Sequence, residues 1–437
     1  MSDATAMTRG FTQEAFDALM DTRGEPDWLR SLRCEAWRVF QEMPMPTRNE
    51  EEWMRTDIRP LKLDEFSLPA AESECSAAAE LLSEGVQLGG AVKTVNGASR
   101  DFSLSDKWRQ KGVLFGNLAD FVRSDGELVR RHLYQGTLHA GLDRLAALHA
   151  ACWTSGTFLY VPRNVVVDEP FYSQSTITEN GVDLGHTLVV LEEGAEVTYL
   201  SEMQSCQAAD SGLHCGGTEV YIGDRARLRF VNLQDWGQNV WHFAHQHARL
   251  GRDASLQWTV GALGSRLAKV NQQVALAGKG ADCQVNGVMF TEGRQHLSYH
   301  TLQHHQAESC RSDFLYKAAL QDKSRTVWRG MIKVDRNAQK TDGYQRNDNL
   351  LLSNQCRADA IPGLEIEADD VRCTHGATTG RVDDELLFYA QSRGFTRKEA
   401  VRLVVSGFFQ QVFDRITIES VREALGQAIG QRVREVR

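Results

Sequence analysis

Two residues near the C-terminal end have the side chains and the spacing of metal ligands. Cys373 and His375 lie two positions apart in a segment that reads as a β-strand. Because successive side chains on a strand alternate between its faces, both project from the same face. A thiolate and an imidazole suit iron or zinc, but two ligands leave a tetrahedral site half empty. The pair predicts a metal site that another chain completes; the alternative is a buried thiol beside a hydrogen-bonded histidine.

Two groups of histidines are weaker candidates for metal binding. His245 and His247 share one face of a predicted strand, and His242 points to the other face. Binding by these three histidines would make the chain a metal-storage protein, whereas the commoner alternative is a solvated or stacked row. We expect a further group to share no single face, because its spacing is irregular: His296, His300, His304, His305 and Cys310.

Signatures of common enzyme classes are missing from the sequence. There is no G-x-x-x-x-G-K-[ST] phosphate loop, no H-E-x-x-H zinc helix and no G-x-S-x-G nucleophile elbow. The glycine cluster at residues 212–217 is too short to imply nucleotide binding, and the acidic runs at 369–370 and 383–385 suit turns and a helix start. We therefore predict a non-catalytic protein whose ATP, if needed, is bound by a partner.

The composition and charge of the chain indicate its class of protein and argue against some kinds of partner. Of the 437 residues, 42% are hydrophobic and 24% are charged, which is ordinary for a packed soluble protein. A formal net charge of -9 argues against a broad nucleic-acid surface. No apolar run approaches the roughly 18 residues of a membrane span, and the N-terminus has no signal-peptide pattern. We expect a cytoplasmic protein with neither a nucleic acid nor a membrane as partner.

The cysteines do not form a recognisable framework. There are 9, scattered along the chain, and none falls in a C-x-x-C pair. In a long cytosolic chain this pattern predicts reduced thiols, mostly small buried hydrophobes, rather than disulfides. A self-sufficient four-cysteine cluster site is not supported.

The first third of the chain has helical patterns. Apolar residues at three- and four-residue spacing predict two helices between residues 11 and 43, divided by Gly24 and Pro26. Residues 70–79 are small and acidic and read as a linker or a peripheral helix, and residues 105–155 look mostly helical. We predict an α-rich region with a linker over residues 1–155.

From about Thr157 the pattern is that of strands. A loose repeat consists of an apolar residue, a polar turn, a small residue and a strand, in that order. Its small residues Ala195, Ala226, Ala254 and Ala281 are 31, 28 and 27 residues apart, and residues 320–326 read as a further copy. This spacing favours a β-solenoid with one coil per repeat over residues 156–381. A large antiparallel sandwich is the alternative.

Helical patterns return in residues 382–437. Residues 383–393 predict a short helix closed by Gly394, and Thr396 with Glu399 predicts a capping box that opens a second helix. A third helix is predicted over residues 418–436. These helices either dock a partner or cap the solenoid.

Several ordered motifs together resemble those of one family. They lie at residues 349–353, 361–366 and 387–394, at 46–53 near the N-terminus, and in the segment DVRCTHGAT at 370–378. This set is similar to the signature of the SufB/SufD family of iron-sulfur cluster assembly scaffolds. The resemblance implies a right-handed parallel β-helix flanked by α-helical N-terminal and C-terminal domains.

The resemblance also implies two partners. The β-helix pairs with the homologous SufB, and the ABC-type ATPase SufC docks on the C-terminal helices, in the region of Phe388, Phe408 and Phe409. ATP hydrolysis then belongs to SufC. The isolated chain is a monomer or a homodimer.

Within this resemblance, His375 lies at the interface where the nascent cluster forms, with Cys373 beside it. No cofactor is bound stably by this chain, and the Fe-S cluster is transient at the SufB interface. Asn347 stands where SufB has its cluster-forming cysteine, and the cysteine-rich N-terminal motif of SufB is missing. These departures favour the SufD branch over a SufB-type scaffold. A β-helical carbohydrate-active enzyme, with a carboxylate-lined groove, is the alternative from another class.

Overall fold

Strands that alternate between inward and outward side chains build most of the molecule. The computed structural model describes residues 10–68, 75 and 80–434, so nearly all of the predicted linker at 70–79 lies outside the described residues. The strands are β1 Gly90–Val95, β2 Ala98–Leu104, β3 Leu114–Asn117, β4 Gly156–Val161, β5 Phe171–Ile177, β6 Gly181–Asp183, β7 His186–Leu191, β8 Glu196–Ser205, β9 Ser211–Ile222, β10 Arg227–Asp235, β11 Asn239–Leu250, β12 Ser255–Ala262, β13 Leu267–Leu276, β14 Asp282–Thr291, β15 His296–His305, β16 Arg311–Leu320, β17 Arg325–Val334, β18 Thr341–Leu351, β19 Arg357–Ile366 and β20 Val371–Arg381.

These strands wind into a parallel β-helix. Sheet A has the order β2-β1-β5-β8-β10-β12-β14-β16-β18-β20, and sheet B has the order β19-β17-β15-β13-β11-β9-β7-β4-β3. From β4 onward, consecutive coils contribute one strand to each sheet in turn, which makes eight coils. Neighbouring strands of successive coils are parallel. The predicted solenoid is confirmed, and the antiparallel sandwich is excluded.

The alanine repeat marks one corner of each coil. Ala195, Ala226, Ala254 and Ala281 are fully buried and directly precede β8, β10, β12 and β14. Residues 320–326 were expected to be a further copy, and this is wrong: they lie at the opposite corner, before β17 of sheet B. Both corners consist of a polar turn followed by a strand, so the sequence pattern does not distinguish them. The alanine column continues instead at the buried Cys310.

The helices lie before and after the β-helix. They are α1 Gln13–Arg23, α2 Asp27–Glu42, a short 3-10 helix at Leu63–Glu65, α3 Asp106–Gln110, α4 Leu118–Ser124, α5 Gly126–Arg130, α6 Arg144–Cys152, α7 Asp384–Ser392, α8 Arg397–Phe413 and α9 Glu419–Arg432. The break between α1 and α2 falls at Gly24, which has the left-handed φ of 58° that favours glycine there. No helix in the described ranges is both long and apolar enough to span a membrane.

Two outer layers cover the sheets. The N-terminal region packs on the outward face of sheet B, where it covers Trp241 and Phe243. Helices α8 and α9 pack on the outward face of sheet A, where Leu233 and Leu315 belong to the same apolar cluster. The N-terminal region also supplies β1, β2 and β3, which the sequence did not predict because these strands are short and lie beside helical segments.

Helix α8 begins where the capping box predicts it. Its capping box at Thr396 and Glu399 is present, with both reciprocal hydrogen bonds. Val401, Val405 and Phe409 are buried against sheet A, whereas Leu403 is exposed. The helix is apolar nearly all round, so its periodicity does not specify which side is covered.

The prediction of reduced thiols is wrong at one pair. Cys75 and Cys206 form a disulfide across a sequence separation of 131 residues. The β-helix brings the two positions together, and no local spacing in the sequence could show it. Among the remaining cysteines in the described ranges, Cys34 is exposed, Cys373 is intermediate in burial, and the other five are buried, as expected for small apolar side chains.

Candidate functional site

The two ends of the β-helix differ. At the first coils, β2 pairs antiparallel with β1 and β3 pairs antiparallel with β4. At the last coil, β20 ends sheet A and β19 ends sheet B, and no strand within the described residues pairs with their outer edges. We call this the open end. Unpaired backbone groups along a strand edge are a template for pairing with another chain.

Apolar side chains are uncovered at the open end. Leu364 and Ile366 of β19 are in register with Ile332 and Val334 of β17, which are fully buried on the inward face. Leu364 and Ile366 are themselves 38% and 39% exposed. The core of the solenoid therefore continues to its last coil and stops there without a cover, which marks a surface for another protein.

Cys373 and His375 lie on the inward face of the same coil. Both belong to β20, where Cys373 is in register with Gly343 and His375 with Gln345. Cys373 is half-buried and packs against the apolar cluster that contains Ile332, whereas His375 is exposed. The two candidate ligands thus share a face, as their spacing predicts, and they reach solvent through the open end.

The Cys373 thiol is not activated by its surroundings. Burial raises its pKa, the Asp342 carboxylate raises it further, and a hydrogen bond from the backbone N–H of Gly343 partly offsets these effects. A raised pKa lowers the fraction of thiolate, which is the form that binds metal. Cys373 therefore needs a metal or a positively charged partner to become a ligand at neutral pH.

Asn347 lies on β18, the strand that pairs with the strand of Cys373 and His375. It is on the inward face of β18, two residues beyond Gln345, and is in register with Ala377 of β20. Its Nδ2 donates to the Tyr316 carbonyl at 3.3 Å, and its Oδ1 accepts from Asn349 at 2.7 Å. The position where SufB is expected to have a cysteine is therefore on the neighbouring strand, two residues further along than His375 and four further than Cys373, and a hydrogen-bonded amide occupies it.

The donor set at the open end is incomplete within the described part of the chain. No three His, Cys, Asp or Glu side chains of those residues are placed to hold a metal ion together. Cys373 and His375 supply two ligands, and a tetrahedral site needs about four. These two side chains alone, among the described residues, do not complete a tetrahedral site.

The His242 group does not form one site. His242 lies inside the β-helix, where its Nδ1 is 2.8 Å from Nδ1 of His214. His245 lies on the outward face, where Nε2 is 3.1 Å from Asp143. Because His245 and His247 are separated from His242 by the sheet, the geometry gives no support to a metal-storage protein that uses all three.

The expectation that the group of His296, His300, His304, His305 and Cys310 shares no single face is confirmed, although three of its histidines do share one. His296, His300 and His304 lie at alternate outward positions, whereas His305 points inward and binds Ser312 through Nε2 at 2.8 Å. Successive members of the outward row are four residues apart, or about 13 Å along a strand. That separation is too large for a shared metal.

The three phenylalanines of the expected SufC region differ in exposure. Phe388 is 73% exposed, and Phe408 is partly buried with its ring 4.8 Å from Lys317 Nζ. Phe409 is fully buried in the core against sheet A, so it cannot contact a partner directly. The sequence placed it on the wrong side because α8 is apolar on several faces.

Other exposed apolar residues replace Phe409 at this surface. We call the exposed apolar surface on α7 and α8 the helical patch, which comprises Leu386, Phe388, Tyr389, Phe395 and Leu403. Residues 386–389 are four consecutive large side chains, which cannot all be buried on one face of a helix. This run of consecutive large side chains indicates exposed apolar residues from the sequence alone.

Known proteins match this chain along nearly its whole length. A model of the SUF system FeS cluster assembly SufBD core domain matches residues 174–408, and a model of the SufBD protein N-terminal region matches residues 14–172. The iron-sulfur cluster assembly protein SufD of Bacillus subtilis is 28% identical over 433 residues, covering 97% of this chain and 98% of that protein.

Staphylococcal proteins show a similar degree of likeness. An iron-sulfur cluster assembly SufBD family protein of Staphylococcus epidermidis is 26% identical over 428 residues, covering 94% of this chain and 90% of that protein. A SufBD family protein of Staphylococcus aureus matches with the same identity and coverage. The chain therefore belongs to the SufBD family of iron-sulfur cluster assembly proteins and is a homologue of SufD.

Proposed function

We propose that this chain is the SufD-type scaffold subunit of a SufB-SufC-SufD complex, and that its open end forms half of the cluster assembly interface. The observation that carries the proposal is the coincidence of three features on one coil: two unpaired strand edges, uncovered inward apolar side chains, and the Cys373-His375 pair. A scaffold that works only with a partner needs all three features in one place.

A SufB-type chain fits the open end physically. Its own strands would pair with the edges of β19 and β20, which extends both sheets across the interface. Leu364 and Ile366 would then be buried. The same contact brings the partner's ligands to Cys373 and His375, so that the Fe-S cluster forms as cargo between the chains and is not kept by this one.

The helical patch suits the ATPase. It is apolar and exposed, and it lies on helices that follow the last coil, of which α8 packs on β14 and β16 of sheet A. Exposed patches of this kind mark sites of protein association. In this proposal SufC binds the helical patch and hydrolyses ATP, while this chain transmits the motion of its C-terminal helices to the β-helix.

Co-purification with SufB and SufC tests the two surfaces separately. We expect Leu364→Asp to lose SufB and to keep SufC, because it places a charge in the uncovered core of the last coil. We expect Phe388→Asp to lose SufC and to keep SufB. Val166→Asp is the matched control, since Val166 is a 56% exposed apolar residue outside both surfaces.

Because each variant is tested against both partners, the experiment distinguishes a damaged binding surface from an unfolded chain. A variant that binds one partner normally is folded, so the loss of the other partner reports on the substituted surface alone. Retention of both partners by both variants would refute the assignment of the surfaces. Loss of both partners by Val166→Asp would show that the assay responds to any exposed charge.

A further inference from the structure

A row of polar side chains crosses the last three strands of sheet A. Lys317 of β16 is in register with Asp348 of β18, and Asp348 is in register with Thr378 of β20. Asn347, which directly precedes Asp348, lies on the inward face, so Asp348 and its register partners project outward. The row therefore connects three successive coils on the side of the β-helix where the C-terminal helices pack.

The Asp348 carboxylate holds this row together. Its Oδ1 accepts a hydrogen bond from Thr378 Oγ1 at 2.6 Å and another from Arg346 Nε at 2.9 Å. Its Oδ2 lies 3.6 Å from Lys317 Nζ. The Asp348 side chain is only 5% exposed, so solvent screens these charged contacts little. One carboxylate thus joins side chains of β16, β18 and β20.

Lys317 connects the row to helix α8. Its Nζ donates to the backbone carbonyl of Phe408 at 3.0 Å and lies 4.8 Å from the centroid of the Phe408 ring. A hydrogen bond to one carbonyl is directional and specifies one position of the helix along the strand, whereas apolar contacts are not directional. Lys317 therefore defines the position of α8 relative to β16 more closely than apolar packing does.

The surroundings of the row are apolar. Leu315 and Ala319 lie two residues before and after Lys317, and Leu350 lies two residues after Asp348. All three belong to the apolar cluster that α8 and α9 complete. Replacement of a buried ion pair by apolar side chains of similar volume is often neutral or stabilising. A role in stability alone therefore does not account for charged side chains at these positions.

The far end of the row is the strand that carries the candidate metal ligands. Thr378 lies three residues after His375 on β20, or about 10 Å along the strand. Within sheet A, β20 is the end strand and β18 is its neighbour. A shift of β20 relative to β18 therefore displaces Cys373 and His375 as well, because the strand is continuous.

We propose that the row of Lys317, Asp348 and Thr378 links the position of α8 to that of β20. Asp348 is then a positioning residue for the Cys373-His375 pair, because it acts through the strand and does not touch the metal. This inference deepens the proposed function and rests on it: a partner that binds the helical patch and shifts α8 thereby shifts the candidate ligands.

Hydrogen exchange of the full chain, followed by mass spectrometry, tests the link without any partner. Thr378→Val removes the hydroxyl at the end of the row and suits a strand. We expect it to speed the exchange of backbone amides at residues 405–413 of α8 by at least about threefold, a usual size for coupling between linked sites. Thr374→Val is the matched control, because Thr374 lies on the same face of β20 and its side chain has no hydrogen bond within the described residues.

The same substitution in a Lys317→Met background tests the route. We expect Thr378→Val to have no further effect on α8 there, because the row is already broken at Lys317. Thermal melting checks that each variant folds. If Lys317→Met does not fold, Lys317→Met combined with Asp348→Leu replaces it, since the pair of substitutions removes both buried charges.

Three results would overturn the link: unchanged exchange of α8 in Thr378→Val, an equal effect of Thr374→Val, or the full effect of Thr378→Val in the Lys317→Met background. These measurements use the free chain, so their failure does not alter the result of co-purification with SufB and SufC. Failure of co-purification would refute the proposed function and would not alter the exchange of α8 in the free chain.

Discussion

Burial lowers the reactivity of the Cys373 thiol in the free chain. In the free chain the thiol stays protonated at neutral pH, because burial raises its pKa and the Asp342 carboxylate adds to the effect. A metal ion brought by a partner reverses this, since coordination favours the thiolate. A raised pKa therefore lowers the reactivity of the free Cys373 thiol toward oxidants and metal ions.

Alkylation of Cys373 should therefore be slow at pH 7 and should accelerate with rising pH. The thiolate fraction increases about tenfold for each pH unit below the pKa, and the pKa of Cys373 lies above its ordinary value of 9.0. Mass spectrometry of the peptide that contains Cys373, after timed treatment with iodoacetamide, measures the rate. A rate that is already at its plateau at pH 7 would contradict a raised pKa.

The two-residue spacing of Cys373 and His375 was sufficient to predict that they share a face, because alternation along a strand is local. Phe409 shows where such reasoning fails. Its burial depends on contacts with sheet A, whose residues lie about a hundred positions earlier in the chain. Lys269 is similar: no neighbour in the sequence indicates that the N-terminal region covers it. Spacing along a strand predicts the face on which a side chain lies, whereas the burial of that side chain depends on residues that are distant in the sequence.

Helix α8 has one face that is buried and another that exposes an apolar residue. Val401, Val405 and Phe409 are buried against sheet A. The backbone carbonyl of Phe408 accepts a hydrogen bond from Lys317 Nζ at 3.0 Å. The opposite side contributes Leu403 to the helical patch. The apolar residues on both sides of the helix fit the proposal that one face packs on sheet A and the other binds a partner.

Phe409→Ala and Phe388→Ala should differ sharply in stability. We expect Phe409→Ala to lower the free energy of unfolding by about 3 to 5 kcal/mol, because it leaves a cavity in a packed core. We expect Phe388→Ala to change it by less than about 0.5 kcal/mol, because the ring is exposed. Urea unfolding followed by circular dichroism measures both; equal losses would show that the faces are assigned wrongly.

Among the elements, the alanine column was predictable and the strands β1 to β3 were not. Ala195, Ala226, Ala254 and Ala281 fill a corner where the chain turns tightly, so their spacing reports one coil directly. Strand β3 has only 4 residues, and its pairing with β4 depends on the solenoid being present. Short strands that complete an edge carry no periodicity of their own.

At the scale of the whole molecule, one covalent link ties the N-terminal region to the β-helix. Cys206 follows β8, and the segment after Cys75 is held by Glu202, whose carboxylate accepts from the backbone N–H groups of Leu81 and Leu82 at 3.1 Å. A crosslink over a long loop stabilises mainly by restricting the unfolded chain. The link therefore fixes Cys75 of the N-terminal region to the β-helix at the end of β8.

Peptide mapping without reductant should recover Cys75 and Cys206 in one linked peptide. We expect Cys206→Ser to lower the free energy of unfolding by about 2 to 4 kcal/mol, the usual effect of such a link. Denaturant unfolding measures the loss, and the buried free thiol Cys310 provides a comparison through Cys310→Ser. Recovery of Cys75 as a free thiol in the folded protein would contradict the link.

The asymmetry of the β-helix determines what the molecule can do. Antiparallel pairs begin both sheets at the first coils, whereas the last coil carries the exposed apolar side chains of β19 and the Cys373-His375 pair of β20. The resemblance of its motifs indicated the partners, but only the three-dimensional arrangement shows that the ligands, the apolar residues and the edges belong to one surface. We propose that this surface is half of a cluster site.

Cluster assembly by the chain reconstituted with SufB and SufC tests that claim most directly. Iron-sulfur absorbance is compared for the wild type, for His375→Ala, and for Thr374→Ala, the adjacent residue on the opposite face of β20. We predict that all three chains form the complex, and that only His375→Ala loses most of the cluster. Wild-type levels of cluster in His375→Ala would contradict the account.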